Sequence, residues 1–104
     1  MEERLYQKVT FPNERDLAKQ EKLTLVNCEF KGDEINESAL KEAKLISIYN
    51  CNFYLRYPLW HVDTVHIKDS TFFESARGPL WYSKKISIFN SKFDSPKLYV
   101  CKFF

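Results

Sequence analysis

Apolar and polar positions alternate in four stretches of this chain, and all four carry one pattern. Residues 23–30, 46–53, 65–72 and 86–93 align without gaps as aliphatic, any, aliphatic, any, Asn or Asp, Cys or Ser, any, Phe. Alternation with a period of two marks a strand with one buried face. The Asn or Asp that follows marks a bend, because these side chains bond nearby backbone and tolerate unusual φ. A second short strand then ends in a buried Phe. The copies begin 23, 19 and 21 residues apart. That period is too short for two-helix repeats and close to one turn of a three-sided β-solenoid.

A second register agrees with the first. Leu17, Leu40, Leu59 and Leu80 each lie six residues before the aliphatic that opens the next copy, and Leu98 lies six before Phe104. All length variation therefore falls between the Phe and this Leu. The two registers predict an all-β protein: a right-handed parallel β-helix of about four coils of about 21 residues. Residues 1–104 form a single domain, with 1–22 as N-terminal cap and partial coil and 23–104 as the four coils. One coil cannot bury its apolar positions alone. It does so against its neighbours, where equivalent residues stack at the ~4.8 Å strand spacing. Leu5, Tyr6, Val9 and Phe11 are expected to fold over the open end. Residues 36–43 have helix propensity and an N-cap, but their register equivalents, 57–62 and 78–83, contain Pro and read as extended. The repeat overrides the propensity.

Composition narrows the class. Hydrophobic residues are 44% of the chain and aromatic residues 16%, with nine Phe and six Tyr, which excludes a disordered chain. Sixteen basic and fourteen acidic residues are interspersed, with no basic stripe of the kind that binds nucleic acid. The charged opening residues and the lack of a long apolar run predict a cytoplasmic protein that does not enter a membrane. Three cysteines suit a reducing compartment. Cys28 and Cys51 occupy equivalent positions, near disulfide range. Ser70 and Ser91 continue that column, so buried free thiols are expected. No metal-ligand spacing or phosphate loop is present, and no cofactor is expected.

Residues 37–43 (ESALKEA), 56–61 (RYPLWH) and 80–83 (LWYS) resemble, in order, a bacterial family of uncharacterised function that looks like the pectin-lyase-like right-handed parallel β-helices. The resemblance spans roughly residues 11–98. It implies the β-helix fold and no particular activity. Members of that family continue for further coils, which makes this chain a short member or a fragment.

Candidate chemistry follows from the register. The position after the Leu is Lys41, Trp60, Trp81 and Tyr99. With Leu inward, these point outward as an aromatic ladder whose rungs match the repeat of sugar rings, and flat rings stack on sugar faces. Arg56, Arg77, Glu37, Glu42, His61 and Tyr82 lie around it, a rim suited to an anionic or neutral oligosaccharide. The competing reading covers the tryptophans with the loop 73–78 or with another subunit. His61 with Glu37 or Glu42 is the one candidate acid/base pair. The acidic cluster of polysaccharide lyases is missing, since Asp33 and Glu34 have no matching acids one coil on. No complete catalytic set is present, and the chain reads as a binding protein rather than an enzyme.

Two functions are therefore expected: a carbohydrate-binding surface on the aromatic ladder, or a non-catalytic scaffold that assembles with itself. The final residues, 98–104, carry Lys102 as their one charge beside Phe103 and Phe104. An apolar, weakly charged edge recruits other chains. A homodimer through the C-terminal coil is expected on that ground.

Overall fold

The computed structural model describes residues 3–33 and 35–94. Among them every regular element is a strand: β1 (Arg4–Gln7), β2 (Glu21–Val26), β3 (Glu29–Phe30), β4 (Lys44–Tyr49), β5 (Asn52–Phe53), β6 (Asp63–Lys68), β7 (Thr71–Phe72), β8 (Lys84–Phe89) and β9 (Lys92–Phe93). Long and short strands alternate along the chain and sort into two parallel sheets, β1-β2-β4-β6-β8 and β3-β5-β7-β9. The result is a parallel β-solenoid of about four turns, the class expected from the repeat.

The register sets equivalent residues on top of one another. Leu23 pairs with Ile46, Ile46 with Val65, and Val65 with Ile86. Phe30 pairs with Phe53, Phe53 with Phe72, and Phe72 with Phe93. The phenyl rings lie face to face, 4.6, 4.4 and 4.6 Å between centroids and within 5° of parallel. Phe30, Phe53, Phe72, Leu25, Ile48 and Ile67 have no exposed surface. Each coil thus buries its apolar face on the next rather than within itself.

The N-terminal segment extends both stacks by one rung. Tyr6 pairs with Leu25, Thr10 bridges to Glu29, and the Phe11 ring lies 5.0 Å from Phe30. Tyr6 and Val9 pack on the core and Phe11 is buried. Leu5 does not cover the core as expected. It pairs with Thr24 on the outward face and is 62% exposed, because neighbours along a strand point to opposite sides.

The third stack is made of turns, not of helix or extended chain. Ala43 N–H donates to Leu40 O at 3.1 Å, Trp81 N–H to Gly78 O at 3.3 Å and Ser83 N–H to Leu80 O at 3.2 Å. Residues 36–43 are accordingly not helical, as the repeat required. The extended reading of 57–62 and 78–83 gives way to turns, since Pro at the second position of a turn presets φ. Between coils, Leu40 N–H donates to Pro58 O and Leu59 N–H to Pro79 O. Leu17, Leu40, Leu59 and Leu80 all point inward and are buried.

Each coil changes direction at residues of positive φ, and these form columns. Lys8, Asn27, Asn50, Asp69 and Asn90 make one; Arg15, Ser38, Tyr57 and Gly78 another; Lys19, Glu42, His61 and Tyr82 a third; Lys22, Leu45, Thr64 and Lys85 the last. Only one of the seventeen is glycine. Left-handed backbone costs a non-glycine residue on the order of 1 kcal/mol, so stacking imposes these corners against local preference. From the Asn column to the second the chain takes 11, 7 and 9 residues in successive coils, while the other three intervals stay fixed. The predicted confinement of length variation to one loop is visible in those numbers.

No helix among the described residues is long and apolar enough to cross a membrane. Tyr99 and the expected dimer contact through 98–104 lie outside the described residues.

Candidate functional site

The turn stack and the beginning of the long strands meet at the corner formed by the Glu42, His61 and Tyr82 column. Here the chain turns outward side chains into an open cleft of about 720 Å³, lined in part by Lys41, Glu42, Trp60, His61, Tyr82 and Lys84. The left-handed φ of Glu42, His61 and Tyr82, 57–60°, sets the direction of these three side chains. Backbone bonds fix the rungs: Glu42 N–H donates to Trp60 O at 2.8 Å and His61 N–H to Trp81 O at 3.1 Å.

Five rings form one connected cluster. His61 and Tyr82 stack at 5.1 Å and 24°. Trp60 lies 6.2 Å from each of them. Tyr57 sits between the two indoles, edge-on to Trp60 at 5.1 Å and tilted against Trp81 at 5.4 Å. The ladder expected from the register is therefore a cluster, with Tyr57 as the wedge that joins its rungs. Trp60 and Trp81 are half-buried rather than open, and so are His61 and Tyr82. Half-burial leaves each ring an exposed portion and restricts its motion.

The other expected site residues are divided. Glu42 is exposed in the cleft beside His61. Glu37 is instead drawn to Arg56, whose Nε lies 3.2 Å from Glu37 Oε2; their backbones also bridge in parallel. Arg56 Nε is sealed from solvent with no aligned hydrogen-bond acceptor, so the contact is one of charge. That pair ties two coils together and removes Arg56 from the rim. Arg77 is exposed, its carbonyl accepting from Tyr57 N–H at 2.8 Å, and does not line the cleft. Of the two carboxylates considered as partners for His61, only Glu42 shares its cleft.

Charged residues that the register reading passed over complete the corner. Glu21, Lys44, Asp63 and Lys84 stack in one column of alternating sign. Lys84 Nζ lies 3.6 Å from Asp63 Oδ2. The Thr64 hydroxyl donates to Asp63 Oδ1 at 3.0 Å. That hydrogen bond, followed by the charges of Lys84 and Lys85, holds the Asp63 carboxyl below its ordinary range. This column lies two residues before the first aliphatic of every copy, so the register contained the signal.

Beneath the cleft Ser83 closes the rung. Its hydroxyl accepts from Val62 N–H at 3.0 Å and donates to Leu59 O. The same device recurs at the Cys/Ser column, where Ser70 Oγ accepts from Cys51 N–H at 3.0 Å and donates to Lys68 O at 3.0 Å. Cys28 and Cys51 are free and buried, and burial pushes the Cys51 thiol up to about 12. They are the buried free thiols that the column predicts. Among the described residues no group of three or more His, Cys, Asp or Glu is placed to hold a metal ion.

Parallel coils, an aromatic corner cleft and a lysine-bearing rim define a β-solenoid with a candidate binding surface at that corner. The chain belongs to the family described as protein of unknown function (DUF3737), which matches residues 4–101. Comparison with curated proteins and with solved structures found no match.

Proposed function

We propose that this protein is a non-catalytic carbohydrate-binding solenoid that takes an oligosaccharide in the corner cleft. The observation that carries the proposal is the five-ring cluster of Tyr57, Trp60, His61, Trp81 and Tyr82, three of whose rings, Trp60, His61 and Tyr82, line a charged cleft. Aromatic faces pair with the apolar faces of sugar rings, and neighbouring polar groups take the hydroxyls. Successive rungs offer such a face at each ~4.8 Å step. Catalysis adds nothing to this reading: His61 shares its cleft with Glu42 and Asp63, but among the described residues no nucleophile is oriented by a base. Kinship with pectin-lyase-like β-helices belongs to the same proposal. It is supported by the parallel coils alone, and a shared fold carries no chemistry.

Tryptophan emission followed during titration with a panel of oligosaccharides tests the proposal. A saturable change lost in Trp60→Ala is expected. A flat response to every oligosaccharide at millimolar concentration contradicts it.

A second reading, a self-assembling scaffold, is favoured by one observation. Ile88 continues the interior column of Leu25, Ile48 and Ile67 yet is 44% exposed, on β8, which ends the sheet order among the described residues. Light scattering across a hundredfold concentration range separates the two, because a scaffold gains mass and a monomeric binder does not.

A further inference from the structure

The charges along the cleft are ordered by rung, and that order says more about a ligand than the rings do. Lys41 and Lys44 stand on one coil with Glu42, Asp63 on the next beside Trp60 and His61, and Lys84 on the third beside Tyr82. Among the described residues no ion pair engages Lys41 or Lys44. Lys84 contacts Asp63, yet its side chain is 70% exposed and an ammonium has three donors. Lys44 and Lys84 lie two rungs apart in one column, roughly 10 Å, with a carboxylate between them.

A glycan running along the solenoid axis advances by about one sugar ring per ~4.8 Å rung. Its anionic groups would meet a lysine at the first and third rungs and Asp63 at the second. We infer that the cleft is matched to an acidic glycan whose carboxylates or sulfates fall on alternate sugars; the inference rests on the carbohydrate reading above. Asp63 has two roles in it. Held ionised by Thr64, Lys84 and Lys85, it repels a second-ring anion and accepts hydrogen bonds from a second-ring hydroxyl. A ligand charged on every ring meets that repulsion, and a neutral ligand forgoes both lysines.

Three hexasaccharides separate these cases by quenching of tryptophan emission: one derived from hyaluronan, charged on every second ring; one from galacturonan, charged on every ring; and xylohexaose, uncharged. The hyaluronan fragment should bind tightest, with the galacturonan fragment about fivefold weaker, the worth of one exposed charge contact, and xylohexaose about 25-fold weaker, the worth of two. Asp63→Asn should bring the galacturonan fragment level with the hyaluronan fragment. Lys44→Gln, at an exposed position, should lower the hyaluronan fragment toward xylohexaose and keeps the test open if Asp63→Asn fails to fold. Equal binding of xylohexaose overturns the charge assignment while leaving the carbohydrate reading intact. Tightest binding of the galacturonan fragment overturns the alternation. Silence from all three removes the carbohydrate reading and this inference with it.

Discussion

The indole of Trp81 rests directly on Gly78. A β-carbon added at Gly78 would lie 2.7 Å from two atoms of the indole, closer than any real carbon contact. Gly78 also has φ +51° in the column that elsewhere holds Arg15, Ser38 and Tyr57, so its backbone shape does not require glycine; the ring above it does. Gly78→Ala should therefore push Trp81 outward into solvent. The expected signs are a shift of tryptophan emission to longer wavelength and a stability loss of about 1–2 kcal/mol. An unchanged emission spectrum would mean the indole does not sit on the glycine.

The Asn column is an interrupted ladder. Asn50 Nδ2 donates to Asn27 Oδ1 at 2.5 Å, and Asn90 Nδ2 donates to Asp69 Oδ1 at 2.6 Å. Asp69 has no amide to offer Asn50 Oδ1, and Asn50 Nδ2 donates the other way, to Asn27. Asp69→Asn supplies the missing donor in the same shape, and Asn also suits the left-handed φ of 52° at this corner. The expected gain is about 0.5 kcal/mol, or a rise in thermal midpoint of roughly 2–4 °C. A fall in midpoint would assign the carboxylate some other contact.

How far these features could be read from sequence depends on which force wrote them. Burial repeats with the coil, so Leu23, Ile46, Val65 and Ile86 announced their column, and Phe30, Phe53, Phe72 and Phe93 theirs. The first rung escaped because Arg4, Tyr6, Lys8 and Val9 stand where aliphatics, Asn and Cys are expected, and only Phe11 keeps the pattern. Three of the four corner columns were hidden for a related reason. Lys19, Leu45 or Thr64 carries no turn signal, since the left-handed backbone is enforced by the neighbouring coil rather than by the residue. Trp60, His61, Tyr82 and Glu42 were placed at one surface by register alone. Tyr57 and the fates of Arg56 and Arg77 were not, because they depend on side-chain reach across rungs.

Cys51 gives the solenoid a measurable dependence on alkaline pH. Its thiol ionises near 9.0 when exposed and near about 12 when folded, so the unfolded chain loses this proton first. The stabilising contribution is complete below pH 9 and is lost as pH rises toward 12. Cys51→Ser, which can take the bonds Ser70 makes one coil on, lacks this titration. The denaturation midpoint of the parent should fall more steeply than that of the variant between pH 9 and 10.5. Parallel curves would contradict the burial of the thiol. At pH 8 iodoacetamide should leave the Cys51 peptide unmodified until denaturant opens the fold.

The most direct test of the cleft as a ligand site is a map of amide chemical shifts in the intact protein during addition of the hyaluronan hexasaccharide. The two indole N–H signals, together with the backbone amides of Lys41, Lys44, Trp60, His61, Asp63, Tyr82 and Lys84, should move in a saturable way. The amides of Thr24, Ser47, His66 and Ser87, on the outer face of the five-stranded sheet, should stay in place. Shifts centred on that sheet face, or a spectrum unchanged at saturating ligand, would contradict a carbohydrate site at the aromatic corner.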